Sequence, residues 1–254
     1  MPEAPGGTGR VLRVCALYPD LMNIYADRGN LIVLERRCEW RGLGFELTAS
    51  GLGEPLDGAA HDLYYIGGGQ DRDQRLCAED LLERKAAALR EAAAREALVL
   101  GVCGGYQLLG RAYTIGEERI EGVGLLDVET VREDGPRLIG NVAIETAGLT
   151  GAPDGAVLAG FENHGGRTYL SAGQAPLGRV LRGFGNDGRS GFEGAVSGAT
   201  IGTYLHGPLL PKNVWFADWL IARALRIAPA ALEPLEDAIE RRTHESALRA
   251  AGVS

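Results

Sequence analysis

The chain has 254 residues, 45% of them hydrophobic and 24% charged, which is the composition of a globular protein with one large α/β domain. The net charge of −8 argues against nucleic-acid binding as its main role, and no apolar run approaches the ~20 residues needed to cross a bilayer. Four dispersed cysteines without a C-x-x-C pair indicate reduced thiols rather than disulfides or a zinc site. Residues 1–10 contain no signal-peptide pattern, so we expect the protein to be cytoplasmic. We also expect these ten residues to be disordered.

The first half of the chain, up to about residue 112, alternates apolar runs with helical patterns. Strands are predicted at 11–17, 45–49, 62–66 and 97–102. Helices are predicted from residue 31, over 79–96 and directly after Cys103. This order predicts a parallel sheet with helices on both faces.

The second half has a different pattern, in which shorter apolar segments are joined by glycine-rich turns. Strands are predicted at 122–130, 138–146, 156–161, 178–184 and 200–205, and helices at 213–225 and 232–251. The predicted fold is therefore α/β, with a central, mostly parallel sheet flanked by helices and a more antiparallel second half.

The segment 97–110, ALVLGVCGGYQLLG, ends a buried strand in Cys103 and starts a helix at once. Gly101 and Gly105 lie two residues before and after this cysteine, which is the pattern of a nucleophile elbow with sulfur in place of oxygen. The N-terminus of the following helix should favour the thiolate, and the Gly104 N–H is placed to serve an oxyanion hole. The same residues also fit a cysteine that only fills the core.

A cysteine nucleophile needs a base, and His206 is the best candidate among four histidines. It ends the predicted strand 200–205, where catalytic groups gather in open α/β sheets. His164, in the polar segment GFENHGG, is a second histidine that can approach the pocket. The run GGGQ at 67–70 follows a buried strand, so one of its N–H groups is placed to complete the oxyanion hole with Gly104. A structural histidine and a simple glycine turn are the alternatives.

Three features together resemble the class I glutamine amidotransferases: Cys103 in GVCGGYQ, the GGGQ run, and His206. The resemblance implies a flavodoxin-like α/β fold. The segments GFENH and GTYLHGP are similar to the CobB/CobQ branch of that class. The segment 17–30, LYPDLMNIYADRGN, narrows the resemblance to the glutaminase subunits of lipid II isoglutaminyl synthase, the GatD group. Since the likeness covers about residues 11–225, we expect these to form the amidotransferase domain and residues 226–254 to form a helical tail.

The resemblance implies that Cys103 is the nucleophile and His206 the base in the hydrolysis of L-glutamine. Arg137 would bind the substrate, because a guanidinium fork matches the α-carboxylate of glutamine. An exposed turn arginine is the alternative. Gln107 and the Gly68–Gly69 loop would border the same pocket, with Gly68 in the oxyanion hole and Gly69 at the substrate.

The resemblance also implies a heterodimer, in which ammonia passes to a Mur-ligase-like synthetase subunit (MurT). That partner would use ATP and Mg²⁺ to amidate the α-carboxylate of D-glutamate in lipid II, near the inner face of the membrane, during peptidoglycan synthesis. This chain contains no G-x-x-x-x-G-K motif, so we expect it to bind neither ATP nor a metal itself.

One position departs from the wider class, which places a glutamate two residues after the histidine to orient the imidazole. Pro208 stands there in this chain, so Glu162, Glu193 or a carboxylate of the partner would have to serve, and we favour the partner. Three other functions fit the same residues: a cobyrinate- or cobyrate-type amidotransferase subunit, a stand-alone thiol hydrolase, and a non-catalytic scaffold.

Overall fold

The computed structural model describes residues 9–23, 27–116 and 118–253. Most of the segment expected to be disordered, residues 1–8, lies outside the described residues, as do residues 24–26 of the LYPDLMNIYADRGN segment. Within the described part of the chain, the strands form one sheet of six strands and two sheets of four. No helix of that part combines the length and the apolar character that crossing a membrane requires.

The six-stranded sheet confirms the prediction of a central, mostly parallel sheet. Its strand order is β13-β14-β4-β3-β1-β2, and only β13 runs antiparallel to its neighbour. The strands are β1 (Val11–Leu17), β2 (Gly44–Ser50), β3 (Leu63–Ile66), β4 (Leu98–Val102), β13 (Ala195–Ser197) and β14 (Thr200–Thr203). Every residue of β3, β4 and β14 is buried, as expected for parallel strands covered on both faces.

The described helices are α1 (Arg28–Glu39), α2 (Asp71–Asp80), α3 (Ala86–Ala94), α4 (Gly104–Leu109), α5 (Leu209–Lys212), α6 (Val214–Ala224) and α7 (Ala238–Ala251). A π-helical turn at Leu81–Lys85 joins α2 to α3, so this helical stretch starts eight residues before the predicted 79–96. The prediction missed that start because DRDQR is too polar to show an apolar period. The tail helix starts later than the predicted residue 232, because Pro234 disfavours helix there.

The second half is largely antiparallel, as predicted, but it forms two separate sheets. One has the order β10-β7-β5-β6 and the other the order β12-β11-β8-β9. Their strands are β5 (Ala112–Ile115), β6 (Glu118–Glu121), β7 (Val128–Arg132), β8 (Leu138–Thr146), β9 (Val157–His164), β10 (Gly166–Leu170), β11 (Gly178–Arg182) and β12 (Phe192–Glu193). The strand predicted at 122–130 is wrong in its first six residues, which form a loop packed against the end of α4.

Strand β9 joins the second half to the parallel sheet. Phe161 in β9 and His206 after β14 exchange two backbone hydrogen bonds, of 3.1 and 3.0 Å. The tail is also attached to both halves: the buried Arg37 of α1 donates to Asp237 before α7, and Asn141 of β8 donates to the Ala250 carbonyl. The segment after β14 is therefore held between the two halves of the molecule.

Candidate active site

Cys103 stands on a strained turn between β4 and α4. Its backbone angles, φ 52° and ψ −106°, lie in a region that residues other than glycine rarely adopt. Gly105 has to be a glycine, because a Cβ there would lie 2.2 Å from the Ile66 carbonyl oxygen. The Gly105 N–H donates to the Gly67 carbonyl at 3.1 Å, which fastens the turn to the neighbouring strand end. This geometry is that of the predicted nucleophile elbow.

The thiol of Cys103 opens into a cleft at the carboxyl ends of the parallel strands, with only 7% of the residue exposed. Three further residues predicted for the site line the same cleft: Gly69, Gln107 and Arg137. His164 lines it as well, so this histidine does lie at the pocket that its sequence context allowed it to approach. The structure therefore brings residues from both halves of the chain around one cysteine.

His206 follows β14, the strand that pairs directly with β4. The Cys103 N–H donates to the Thr203 carbonyl at 2.8 Å, so the nucleophile and the histidine segment leave adjacent strand ends. The His206 ring is fully buried and meets the Phe161 ring edge-on, with 6.1 Å between the ring centroids. The ring is not among the described residues that line the cleft, so the structure places His206 at the strand end adjacent to that of Cys103, and its catalytic role stays a prediction.

Burial shifts the pKa values of both candidate catalytic groups in the direction that favours their neutral forms. Burial raises the pKa of Cys103 to about 12, and the charge of Asp27 adds to the rise, against smaller lowering effects of the Gly104 N–H and Arg137. Burial likewise lowers the pKa of His206 to about 4, with contributions from His164, Lys212 and Arg137. The expected preference for thiolate is therefore outweighed by desolvation, and burial favours the thiol form of Cys103 and the unprotonated form of His206.

Arg137 is held at the mouth of the cleft by Asn163, the penultimate residue of β9. Its Nε donates to the Asn163 side-chain oxygen at 2.8 Å, and its Nη2 donates to the Asn163 carbonyl at 2.7 Å. The guanidinium is thus oriented while remaining exposed to solvent. Arg132 lines the same cleft and was not predicted, so two cationic side chains lie at this cleft.

A chain of side-chain hydrogen bonds forms one wall of the cleft. The Gln74 Nε2 donates to Oε1 of Gln107 at 2.7 Å, and the Gln107 Nε2 donates to the Tyr204 hydroxyl at 3.0 Å. The Tyr204 ring stacks on His164 with the centroids 3.6 Å apart. The His164 Nδ1 lies 2.8 Å from the Gly166 carbonyl, which identifies this nitrogen as the one that donates. These contacts fix the wall before any ligand binds.

The glycine loop 67–69 lies beside the elbow, but its Gly68 N–H is already engaged. It donates to Oδ2 of Asp27 at 2.7 Å, so the predicted role of Gly68 in the oxyanion hole requires that this bond be exchanged. Gly69 lines the cleft, and a Cβ on Gly104 would lie 3.1 Å from the Gly69 nitrogen. The Gly104 N–H interacts with the Cys103 sulfur and lowers the pKa of the thiol, and its role in the oxyanion hole stays a prediction.

The two glutamates considered for orienting His206 have other partners. Glu162 accepts hydrogen bonds from the backbone N–H groups of Phe184 and Gly185, at 2.6 and 2.9 Å. Glu193 accepts from the Tyr204 N–H at 2.6 Å and from the Thr203 hydroxyl. Both carboxylates are buried and hold backbone segments together.

Sequence reasoning missed several residues that shape the site: Asp27, Gln74, Arg132, Asn163 and Tyr204. Asp27, Asn163 and Tyr204 lie inside segments that were singled out as motifs, so their neighbours gave a signal although their own roles did not emerge. Gln74 and Arg132 carry no such signal, because only the folded chain brings them to Cys103.

Comparison with known proteins adds independent information. The family model of the CobB/CobQ-like glutamine amidotransferase domain matches residues 13–214. The chain is 36% identical over 216 residues to the lipid II isoglutaminyl synthase (glutamine-hydrolyzing) subunit GatD of Streptococcus pneumoniae, covering 85% of this chain and 81% of that protein. It is 38% identical over 218 residues to the Staphylococcus aureus subunit of the same name, covering 85% and 86%. It is also 40% identical over 172 residues to a cobyric acid synthase of Pelotomaculum thermopropionicum, which covers 61% of this chain and 31% of that protein.

Solved structures share the fold at low sequence identity. The PurLQS structure from Thermotoga maritima contains a chain that matches with a TM-score of 0.59 at 20% identity, covering 85% of this chain and 98% of that one. A glutamine amidotransferase from Methylobacillus flagellatus matches with a TM-score of 0.50 at 15% identity, covering 96% and 92%. These matches confirm the predicted α/β architecture.

Proposed function

Since the chain belongs to the CobB/CobQ-like glutamine amidotransferase family, we propose that it is the glutaminase subunit of a lipid II isoglutaminyl synthase. The observation that carries this proposal is the strained Cys103 sharing one cleft with the oriented guanidinium of Arg137. The two relatives named as subunits of that synthase, each similar over 85% of this chain, support the assignment.

In the proposed reaction, substrate binding starts the proton transfer. The α-carboxylate of L-glutamine pairs with Arg137, and the side-chain amide lies over the thiol beside Gln107 and Gly69. His206, neutral because its pKa is about 4, takes the proton of Cys103, and the sulfur attacks the amide carbon. The developing oxyanion accepts hydrogen bonds from the Gly104 N–H and from the glycine loop, through Gly68.

Collapse of the tetrahedral intermediate completes the first half of the reaction. The C–N bond breaks, His206 returns its proton to the leaving nitrogen, and ammonia departs from a γ-glutamyl thioester on Cys103. Water, deprotonated by His206, then attacks the thioester carbon, and the C–S bond breaks to give glutamate and the free thiol.

The ammonia serves a second subunit in this proposal. The partner is a Mur-ligase-like synthetase (MurT) that uses ATP and Mg²⁺ to activate the α-carboxylate of D-glutamate in lipid II. The heterodimer works in the cytoplasm at the inner face of the membrane, where the lipid-linked substrate lies. Ammonia captured there completes the amidation that peptidoglycan synthesis requires.

The partner also supplies the carboxylate that orients His206. Two observations support this step: Pro208 stands where the wider class has a glutamate, and both Glu162 and Glu193 hold backbone N–H groups instead. In this proposal the triad is complete only in the assembled heterodimer, so ammonia release is coupled to assembly. If the isolated chain hydrolyses glutamine as fast as the complex, this step is wrong.

The decisive experiment is co-expression with the candidate synthetase and mass spectrometry of the lipid II product. With glutamine as nitrogen donor, we expect the product mass of an amidated stem peptide for the wild type and none for Cys103→Ala. Added ammonium salt should restore amidation by Cys103→Ala, and Cys77→Ala, which alters a buried cysteine of α2, should behave as the wild type. Glutamine-dependent amidation by Cys103→Ala would contradict the proposed nucleophile, and amidation of a corrinoid instead would replace the proposed acceptor.

A further inference from the structure

Asp27 is a buried carboxylate next to the catalytic machinery that the proposed reaction does not use. Only 1% of the residue is exposed, and burial raises the pKa of its carboxyl to about 6. Oδ2 accepts the Gly68 N–H at 2.7 Å, whereas Oδ1 has no hydrogen-bond partner among the described residues. A buried carboxylate oxygen without a partner is costly, so its presence calls for a reason other than stability.

Capping of α1 does not provide that reason. Asp27 occupies the N-cap position of this helix, where an aspartate normally accepts hydrogen bonds from the first N–H groups. Its side chain makes no such bond, since the carboxylate is directed away from the helix and toward the glycine loop. Tyr65 of β3, the titratable neighbour on this side, contacts the Asp27 backbone carbonyl rather than the carboxylate.

The bond from Gly68 to Asp27 holds one side of the glycine loop. On its other side, the Gly67 carbonyl accepts the N–H of Gly105, inside the nucleophile elbow. The loop is thus tied to the elbow at Gly67 and to Asp27 at Gly68, and the next residue, Gly69, borders the cleft. Loss of the Asp27 bond would leave the peptides around Gly68 free to rotate beside the thiol.

Asp27 also influences the thiol directly. After burial, its negative charge is the next largest cause of the raised pKa of Cys103. The residue therefore acts on both parts of the site that a tetrahedral intermediate would occupy, the sulfur and the loop. A carboxylate that only stabilised the fold would have no reason to affect either.

We propose that Asp27 is a positioning residue whose carboxylate sets the orientation of the glycine loop 67–69 beside Cys103. The inference deepens the proposed function and rests on it, since the loop matters because an oxyanion forms there. Asp27 contacts neither substrate nor sulfur; it acts through its hydrogen bond to Gly68 and through its charge. Whether Gly68 exchanges this bond for the oxyanion or keeps it while Gly69 donates, the loop depends on Asp27 for its starting geometry.

Two substitutions separate the hydrogen bond from the charge. Asp27→Ala removes both, whereas Asp27→Asn keeps an oxygen that accepts the Gly68 N–H. We expect Asp27→Ala to lower kcat for glutamine hydrolysis ~10- to 100-fold with KM changed less than ~3-fold, below the loss seen when a direct oxyanion donor is removed. Asp27→Asn should recover most of that kcat. Asp20→Ala, at an exposed position of the preceding loop, is the matched control and should leave both constants unchanged.

A second measurement uses no glutamine. The rate of Cys103 alkylation by iodoacetamide, followed against pH on the full chain, should shift to lower pH in both Asp27 variants, because a negative charge near the thiol has been removed. The proposal is overturned if Asp27→Ala keeps the wild-type kcat, or if both variants leave the alkylation profile in place. If the wild-type complex does not hydrolyse glutamine at all, the proposed function fails, and the alkylation profiles still decide whether Asp27 acts on the thiol.

Discussion

The two halves of the molecule contribute to the site by different means. The parallel sheet supplies the nucleophile through backbone geometry, since Cys103 adopts a left-handed φ and Gly105 packs against a carbonyl oxygen. The antiparallel sheets supply side chains, such as Arg137 fastened by Asn163 at the end of β9. The Phe161–His206 bridge brings the two contributions together.

This difference predicts how each half responds to substitution. Backbone atoms that face each other at van der Waals contact leave no room for adjustment, so a single methyl group in the elbow is disruptive. Side chains on an exposed cleft wall adjust, so changes there alter affinity by degrees. Substitutions at the elbow in the parallel half should therefore abolish activity or destabilise the fold, whereas substitutions on the cleft wall of the antiparallel half should change substrate affinity by degrees.

The largest contrast is expected between two glycines. Gly105→Ala forces a Cβ to 2.2 Å from the Ile66 oxygen, so it should lower glutamine hydrolysis more than ~100-fold and destabilise the fold by ~1–3 kcal/mol or more. Gly140→Ala in β8 meets only the Phe184 ring, at 3.8 Å, and should preserve activity. Thermal unfolding and glutaminase assays of both variants check the contrast. Equal effects of the two substitutions would refute it.

An intermediate effect is expected from the cleft wall. Arg137→Ala should raise KM for glutamine ~10- to 100-fold while lowering kcat much less, because the guanidinium binds the substrate and not the reacting amide. Arg137→Lys should recover only part of the affinity, since lysine cannot form the fork. Steady-state kinetics test this, with Arg179→Ala, an exposed arginine of β11 paired with Glu145, as the control. A change in kcat alone would contradict the assigned role.

The pH dependence of hydrolysis should be weak on the acid side. The base must be unprotonated, and the lowered pKa of His206, about 4, keeps it so at every pH above that value. The kcat/KM of the isolated chain, in which no partner carboxylate raises the pKa of His206, should therefore stay within ~3-fold from about pH 8 down to about pH 5.5, then fall toward pH 4. A half-maximal rate near pH 6.5, the ordinary value for histidine, would show that the imidazole is not desolvated in the free enzyme.

The smallest expected effect concerns stability. Cys103→Gly removes an unfavourable backbone conformation, so it should stabilise the fold by about 1 kcal/mol and raise Tm by ~2–4 °C while abolishing hydrolysis. The same change at Cys38, in the last turn of α1 and fully buried, should lower Tm, because it opens the core and weakens the end of a helix. Calorimetry of both variants distinguishes stored strain from ordinary packing.

The sequence predicted the parallel half well because its signals are local. Buried strands of the parallel sheet are short apolar runs, and the elbow is recognisable from glycines within two residues of Cys103. The antiparallel half was predicted less well. The boundary near residue 122 was misplaced, since the glycine-rich segment there packs as a loop, and the short strands β5 and β10 gave no clear periodicity.

The site was predictable only in part, for a related reason. Residues with distinctive chemistry, such as Cys103 and Arg137, were found from type and context. Residues that act through long-range contacts were not. Asn163 orients an arginine 26 residues away in the chain, and Asp27 reaches Gly68 across 41 residues. No local pattern records such pairs. The burial of Cys103 was equally absent from the local sequence, and it is the largest cause of the raised pKa of the thiol.

Labelling with a diazoketone analogue of glutamine tests the central claim most directly. The complex is treated with the reagent, digested, and analysed by mass spectrometry for modified cysteines. The account predicts one adduct, on the peptide that contains Cys103, formed in step with the loss of glutamine hydrolysis and prevented by excess L-glutamine. An adduct on Cys15, Cys38 or Cys77 instead, or full hydrolysis after complete modification of Cys103, would contradict it.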